Sequence, residues 1–265
     1  MVKKFERQIF RTSVLCLAAQ LLQKGMLIYM IDTILFDLDG TLLQFSQDDF
    51  IEAYFSELGK VFAAMGMDVG KSSKAVWAGT KAMALNDGSV VNAERFWAKF
   101  AEDMGLDSGQ RAAVEAACDK FYVTEFDRVR SVLVPNDISK RLVRDLSANG
   151  FTVVLATNPM FPECAVTTRL NWVGLVPGDF RLITHYTNST FCKPNPDYFR
   201  EILSKTGKGP EQCLMVGNHP VEDMSAGSAG IETFLVTDCL ENEGGVDTSQ
   251  FRQGSLAELE EYLLG

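Results

Sequence analysis

Asp37 and Asp39 are separated by one residue and directly follow the largely apolar segment 31–36. A segment of this kind is typical of a strand buried on both faces of a parallel sheet, and ligands of such sheets bind just beyond the carboxyl ends of the strands. Gly40 permits a tight turn there, and alternating side chains let the two carboxylates flank one small site. The spacing therefore predicts a metal or phosphate site at Asp37 and Asp39.

A plain strand-ending turn would also contain Asp and Gly, but two later segments favour a site. Residues 151–156 form a second strand-like run, which ends at Thr157 and Asn158. Lys193 precedes two prolines, which disfavour helix before them and allow a helix to begin at about residue 196. Lys193 is therefore expected in a loop, and Thr157 beside the end of the first strand.

A third apolar segment, 213–216, breaks at Gly217 and leads into Asn218, Glu222 and Asp223. It predicts another short strand of the same sheet. Acidic side chains are thus expected at a third strand end, in addition to the pair that follows the first strand.

Taken in order, these segments resemble the four motifs of the haloacid dehalogenase superfamily: D-x-D-G-T at residues 37–41, a strand that ends in threonine, a lysine, and an acidic loop. The resemblance covers residues 31–43 and about 132–240. It implies an α/β fold with a Rossmann-like three-layer parallel-sheet core and an inserted all-helical cap domain. With its second aspartate, Asp39, the motif resembles that of the phosphatase branch of the family. Members that displace halide lack this aspartate, and those that cleave phosphonates usually replace it.

The resemblance also implies a role for each motif residue. Asp37 would be the nucleophile that forms an aspartyl-phosphate, and Asp39 would protonate the leaving oxygen and then activate water. A phosphate monoester repels a nucleophile, so the site needs fixed positive charge, which Lys193 would supply. Thr157 and Asn158 would bind the phosphoryl oxygens, together with Lys193.

A magnesium ion is the implied cofactor, because Mg²⁺ prefers oxygen ligands and keeps several waters. The expected ligands are Asp37, the backbone carbonyl of Asp39, Asn218 and Asp223. The sequence departs from the common pattern at position 218, where the family usually has aspartate. The amide oxygen of Asn218 can still bind Mg²⁺. Asparagine in place of aspartate removes one negative charge, however, for which Glu222 could compensate.

Domain boundaries follow from the resemblance and from periodicity. Residues 31–43 and 131–265 are expected to form the catalytic core, and residues 44–130, whose apolar residues have helical spacing, the cap. Ser46 is the predicted N-cap of its first helix. A cap that closes over the site would exclude water and select the leaving group. Candidates to face the substrate are Lys74, Trp77, Lys81, Arg95 and Trp97, although aromatic residues at this spacing more often form cap core.

Other elements serve as scaffold. Helices are predicted over 93–104, 111–126 and 137–149, the last capped by Asp137, and strands over 181–186 and 233–237. Ser255 begins a final helix with the sequence of a capping box.

These residues predict a magnesium-dependent hydrolase of small phosphate monoesters. A phosphosugar mutase remains an alternative, because mutases of the family share both aspartates. A catalytically weak binding protein of the same fold is the other, motivated by Asn218 alone. Fold resemblance does not name the substrate, which is expected to be a small phosphorylated metabolite.

Composition bears on partners and location. The chain has 265 residues and a net charge of −10, which argues against a nucleic-acid partner. Six cysteines without paired spacing indicate a reduced, cytoplasmic protein. The sequence does not indicate an oligomeric state.

The first 30 residues are expected to be an N-terminal extension outside the core. Basic residues precede the apolar stretch 13–22, which is too short to span a membrane. A start at Met26 or Met30 is the preferred interpretation, and a weak amphipathic surface helix the alternative.

Overall fold

The computed structural model describes residues 31–265. Its centre is a six-stranded sheet in the order β3-β2-β1-β4-β5-β6, with every neighbouring pair parallel. The strands are β1 (Thr33–Phe36), β2 (Thr152–Leu155), β3 (Leu182–Ile183), β4 (Cys213–Gly217), β5 (Glu232–Val236) and β6 (Arg252–Gly254). The prediction of an α/β fold with a parallel sheet is confirmed.

Helices lie on both sides of the sheet and in one long insertion between β1 and β2. The insertion contains α1 (Gln47–Ala64), α2 (Val69–Ala84), α3 (Asn92–Met104), α4 (Ser108–Val123) and a 3₁₀ segment at Glu125–Val132. The remaining helices are α5 (Ile138–Ala148), α6 (Glu163–Trp172), α7 (Pro196–Thr206) and α8 (Leu256–Leu264). The insertion is helical, as expected of residues 44–130, while the domain boundaries themselves remain a prediction.

Strand β1 lies in the middle of the sheet and is buried on both faces. Ile34 and Phe36 pack into the larger apolar core, whereas Leu35 packs on the opposite face beside Tyr198 of α7. The larger core continues from the sheet into the insertion, where it includes Phe50 of α1. The near-continuous apolar sequence of β1 therefore has the double-sided burial that its pattern predicts.

The register of the sheet sets the position of the site. Phe36, the last residue of β1, is the partner of Leu155 in β2 and of Val216 in β4. Three strands therefore end side by side at one edge, and the loops that follow them start close together.

The sequence predicts the N-cap correctly at two helices and incorrectly at one. Ser46 caps α1 by accepting a hydrogen bond from the Asp49 N–H, and Ser255 forms the expected capping box of α8. The predicted cap Asp137 makes no side-chain cap bond. Asn136 caps this helix instead, since its Oδ1 accepts from the Ile138 N–H at 3.0 Å and from the Ser139 N–H at 3.3 Å.

Two predicted segments have different limits. The expected strand over 181–186 is reduced to Leu182–Ile183, because the chain then turns and the Asn188 side chain donates to the Ile183 carbonyl. The expected helix over 111–126 begins earlier, at the capping box of Asp107, and ends at Val123.

The N-terminal segment 1–30, for which an upstream extension was expected, lies outside the described residues. Across residues 31–265, no helix is long and apolar enough to cross a bilayer.

Candidate active site

A cavity of about 150 Å³ lies at the edge where β1, β2 and β4 end. Six of the residues predicted from the sequence line it: Asp37, Asp39, Thr157, Asn158, Asn218 and Asp223. The order of the strands explains this convergence, since each residue follows one of the three strands within a few positions. The structure thus brings the separate motifs together.

Lys193 lies beneath this cavity and is almost completely buried, with 2% of its surface exposed. Its Nζ donates to Asp37 Oδ1 at 2.8 Å and to Asp223 Oδ1 at 2.7 Å. One ammonium group is therefore shared by two buried carboxylates. The sequence prediction of a loop lysine directed at the site is consistent with this position.

The charge balance of the site favours a cation. Burial raises the pKa of Asp37 to about 8, and the neighbouring Asp223 and Asp39 add to this effect while Lys193 opposes it. Burial alone would lower the pKa of Lys193, but Asp223 and Asp37 outweigh it and raise that pKa. Burial also raises the pKa of two further carboxyls that line the cavity, Glu222 and Glu241.

The turn after β1 needs glycine at position 40. Gly40 has φ of 74°, and a Cβ there would lie 2.0 Å from Nδ2 of Asn218. The absence of a side chain lets Asn218 approach the turn. The Thr41 hydroxyl then donates to Asn218 Oδ1 at 3.1 Å and lies 3.4 Å from Asp37 Oδ2. Two predicted metal ligands thereby contact the same hydroxyl group.

The amide of Asn218 is oriented by its other contacts. Its Nδ2 donates to the Cys239 carbonyl at 2.7 Å and to Glu241 Oε1 at 3.3 Å. Its oxygen is therefore left to the Thr41 hydroxyl, which also contacts Asp37. Glu222, which could compensate for the missing charge at position 218, lines the same cavity and accepts from Asn158 Nδ2 at 2.9 Å, and its compensating role remains a prediction.

The residues present fit a magnesium ion. The Asp37 carboxylate, the Asn218 amide oxygen and the Asp39 backbone carbonyl are hard oxygen donors, and Mg²⁺ commonly binds through one or two carboxylates and several waters. Among residues 31–265, no three His, Cys, Asp or Glu side chains form a metal-binding group of their own. The donor set thus suits a cation that keeps much of its water.

Asp223 has a different set of contacts from the one expected of a metal ligand. One oxygen binds Lys193, and the other accepts from the His219 N–H at 2.9 Å. Gly217 allows this, since a Cβ there would lie 2.2 Å from the Asp223 carboxyl carbon. Asp223 therefore holds Lys193 and the loop in place, and its role as a ligand remains a prediction.

Arg169 of α6 is a site residue that the sequence did not indicate. It is completely buried, its Nη1 donates to Asp39 Oδ2, and its guanidinium lies 4.3 Å from the centre of the Phe161 ring. No described residue makes a hydrogen bond to Asp39 Oδ1 or to Nε and Nη2 of Arg169. One oxygen of Asp39 is thus fixed by Arg169, while the other is buried without a hydrogen-bond partner among the described residues.

Thr157 and Asn158 are held by neighbouring loops. The Thr157 carbonyl accepts from the Thr184 hydroxyl at 2.7 Å and from the Tyr198 hydroxyl at 2.8 Å. Asn158 Oδ1 accepts from the Lys193 N–H at 3.2 Å. These bonds fix the loop after β2 and leave the Thr157 side chain directed at the cavity.

The substrate-facing candidates of the insertion divide into two groups. Lys74 and Lys81 are exposed, and Arg95 is bound to Asp87 on the protein surface. None of these three lines the site cavity. Trp77 and Trp97 instead line a second, apolar cavity next to it. The residue of the insertion that reaches the site is Gln47, which sequence spacing did not single out.

Comparisons with known proteins give the family of the chain. A family model for haloacid dehalogenase-like hydrolases matches residues 31–230. The bifunctional riboflavin kinase/FMN phosphatase of Arabidopsis thaliana is 24% identical over 208 residues. That alignment covers 77% of this chain but 48% of the relative, so the chain spans about half the length of that protein.

Solved structures show the same fold. A 2-haloacid dehalogenase from Pseudomonas syringae pv. tomato has a TM-score of 0.60 at 21% identity, covering 88% of this chain and 98% of the dehalogenase. A HAD phosphatase from Thermococcus onnurineus has a TM-score of 0.56 at 18% identity, covering 89% and 99% respectively. At these identities the likeness concerns the fold alone. Because the family model matches most of the chain, this chain belongs to the haloacid dehalogenase-like hydrolase family.

Proposed function

We propose that the protein is a magnesium-dependent hydrolase of small phosphate monoesters that acts through an aspartyl-phosphate. The observation that carries this proposal is the pair Asp37 and Asp39 at one strand end, with buried Lys193 bonded to Asp37. The proposed nucleophile and proton carrier then line one cavity, and the fixed positive charge is bonded to the nucleophile.

In the first step, a carboxylate oxygen of Asp37 attacks phosphorus and the ester P–O bond breaks. Asp39 gives its proton to the leaving oxygen, so an alcohol departs and the phosphoryl group remains on Asp37. Lys193 and Thr157 bind the phosphoryl oxygens. Magnesium, held by Asp37, Asn218 and the Asp39 carbonyl, would offset the negative charge of the phosphate when bound.

In the second step, Asp39 removes a proton from water as the water oxygen attacks phosphorus. The bond between phosphorus and Asp37 breaks, which releases inorganic phosphate and restores both carboxyl groups to their starting protonation states. Arg169 holds the Asp39 carboxyl group in place for both transfers, because it engages one of its oxygens.

The presence of Asp39 favours this chemistry over the others found on the fold. Displacement of halide from carbon needs no proton for the leaving group, so a fixed carboxylate beside the nucleophile would have no task there. A phosphomutase would use the same two aspartates and remains the alternative. A purely binding role is disfavoured because Arg169 and Lys193 hold both aspartates in a reactive arrangement.

We further propose that the substrate is a small phosphorylated metabolite and that the protein acts in the cytoplasm. The 150 Å³ cavity has room for a phosphate and part of its ester group. The five cysteines of the described region are free thiols, which suits a reducing compartment.

The test is phosphate release from p-nitrophenyl phosphate and from a panel of phosphorylated metabolites, with and without Mg²⁺. We expect Mg²⁺-dependent release that Asp37→Asn abolishes and that Asp48→Asn, a change at an exposed aspartate of α1, leaves unchanged. Transfer of phosphate within a sugar phosphate, without net release, would support the mutase. No turnover by the folded protein would contradict the proposal and support the binding protein.

A further inference from the structure

A second cavity, of about 140 Å³, lies between the insertion and the active site. It shares Asp39, Gln47, Met160 and Phe161 with the site cavity. We call it the aromatic cavity because rings from four helices of the insertion form much of its wall: Phe50, Tyr54, Phe55, Trp77, Trp97 and Tyr122. Asp39 therefore lies at the boundary between the place of reaction and an apolar chamber.

The aromatic cavity offers almost no charge to a ligand. Among its described lining residues, Asp39 is the only one with an ionisable acidic or basic side chain apart from the neutral tyrosines and a thiol. Burial raises the pKa of Tyr54 and of Cys118, so both remain uncharged near neutral pH. A charged leaving group would lose its water there without gaining a counter-charge.

The lining of the aromatic cavity is also poorly suited to a ligand with many hydroxyl groups. The hydroxyls of Tyr54 and Tyr122 bind each other at 2.7 Å, and Trp97 Nε1 donates to the Tyr186 hydroxyl at 3.4 Å. These four polar groups of the wall thus pair with one another, and the neutral polar side chains that remain in the wall are Gln47 and Thr80. A sugar in this cavity would leave several hydroxyls without partners, which costs binding free energy.

The volume sets the size of a suitable group. A dry apolar cavity of about 150 Å³ in a protein core binds benzene, and the aromatic cavity has a comparable 140 Å³. Trp77, half-exposed and stacked on Phe55 at 5.4 Å between ring centres, lies at its outer wall. One aromatic ring therefore fills the available space.

We propose that the aromatic cavity binds the leaving group, and that this group is an uncharged alcohol carrying about one aromatic ring. The inference rests on the proposed phosphatase function. Its basis is the position of Asp39, which gives its proton to the leaving oxygen and also forms part of the cavity wall. The group attached to that oxygen is thereby directed into the apolar chamber.

Two primary-alcohol esters test this proposal with similar intrinsic reactivity: benzyl phosphate and glucose 6-phosphate. We expect kcat/KM for benzyl phosphate to be at least about 30-fold higher, the gain typical of burying a phenyl-sized apolar group. Equal values, or a preference for glucose 6-phosphate, would overturn the inference and leave the phosphatase proposal intact. No Mg²⁺-dependent hydrolysis of either ester or of p-nitrophenyl phosphate would contradict the phosphatase proposal itself.

A matched pair of variants locates the effect. Thr80 lines the aromatic cavity, whereas its neighbour Lys81 is exposed. Thr80→Trp should lower kcat/KM for benzyl phosphate by about 10-fold or more through filling the cavity, with less than about a twofold change for glucose 6-phosphate. Lys81→Trp should change neither. Equal effects of the two variants on benzyl phosphate would overturn the assignment of the cavity.

Binding of the product gives a readout that does not depend on turnover. Titration of the wild-type protein with benzyl alcohol, followed by calorimetry, should show saturable binding, and folded Thr80→Trp should lose it. Circular dichroism checks the fold of the variant. If Thr80→Trp does not fold, the wild-type titration remains decisive, since absence of saturable binding there would overturn the inference.

Discussion

Lys193 is the residue on which the electrostatics of the site depend. Its single ammonium lies within 2.8 Å of Asp37 and 2.7 Å of Asp223, and all three side chains are buried. Removing it would leave the buried Asp37 and Asp223 side chains near one another without a counter-charge. Lys193 therefore stabilises both the fold and, as we propose, the transferring phosphoryl group.

Lys193→Met should lower kcat by about 100-fold or more, since a fixed group that stabilises developing charge is lost. It should also lower the free energy of unfolding at pH 7 by about 3 kcal/mol, because one partner of a buried ion pair is removed. Steady-state kinetics and urea unfolding measure the two effects. Lys74→Met, at an exposed lysine, is the control, and similar losses in both variants would contradict the account.

The raised pKa of Asp37 predicts proton release on metal binding. Its pKa is about 8 in the folded protein, above the ordinary 3.8, so its protonation favours the folded state and that contribution is lost as the pH rises through 8. Mg²⁺ competes for the same carboxylate. At pH 6.5, binding should release about one proton, and apparent affinity should rise with pH up to about 8.

Calorimetric titration with Mg²⁺ in two buffers of different ionisation enthalpy measures this release. Asp37→Asn should bind Mg²⁺ more weakly and release no proton. Metal binding to the wild-type protein without proton release at pH 6.5 would show that Asp37 is not a protonated ligand in the free protein.

Glu241 is predicted to support Asn218 as a ligand, because it accepts a hydrogen bond from the amide nitrogen and so fixes the amide oxygen on the side of the Thr41 hydroxyl. Glu241→Gln should weaken Mg²⁺ binding by about 10-fold, a usual cost of losing a partner of a metal ligand. Asn218→Asp should strengthen it, since a charge is restored. Calorimetry at fixed pH tests both, and unchanged affinity in Glu241→Gln would refute the supporting role.

Helix α6 positions Arg169 at the edge of the sheet where β1, β2 and β4 end. The helix follows the loop after β2. The buried guanidinium of Arg169 fixes Asp39, although Arg169 and Asp39 are far apart in sequence. The bond crosses from one motif loop to a scaffold helix. Helix α6 thus positions the group that we propose as the proton carrier.

Arg169→Met should lower kcat by about 10-fold or more while changing KM less, because Asp39 loses its fixed orientation. Stability should fall by about 2 kcal/mol, less than for a fully buried pair because Asp39 is partly exposed. Kinetics and thermal unfolding check this, with Arg130→Met at an exposed arginine as control. Wild-type kcat in a folded Arg169→Met protein would contradict a positioning role.

Sequence patterns identified the strands because β1 and β4 are buried runs with a local signal that needs no tertiary information. The site residues that directly follow those strands, such as Asp37 and Asn218, could be located for the same reason. Arg169 and Glu241 could not, because a buried arginine within a helix and a glutamate in a loop have the same local pattern as exposed ones. Their partners are fixed only by the packing of α6 and of the chain after β5.

At the scale of the whole molecule, the insertion and the sheet share one apolar core, and the two cavities lie where they meet. The net charge of the chain affects how a charged substrate approaches this site. A net charge of −10 repels dianionic esters at long range, although Lys193 and Arg169 provide local positive charge within the site.

Added salt should therefore increase kcat/KM for a phosphate dianion, by about twofold between 20 and 150 mM KCl, because the long-range repulsion is screened. Steady-state kinetics at saturating Mg²⁺ measure it, with chloride chosen so that no tetrahedral anion competes for the site. A decrease with salt would indicate that local positive charge dominates the approach of the substrate.

The proposed mechanism requires Asp37 to receive the phosphoryl group. Asp39→Asn protein, which could not activate water, is mixed with p-nitrophenyl phosphate and Mg²⁺ and quenched in acid, and the peptide containing Asp37 is analysed by mass spectrometry. The nitrophenolate leaves without a proton, so the first step still proceeds. We predict the mass of one phosphoryl group on Asp37, and none in the Asp37→Asn, Asp39→Asn double variant. Mg²⁺-dependent turnover by wild-type protein that never yields this adduct, and that persists in Asp37→Asn, would contradict the account.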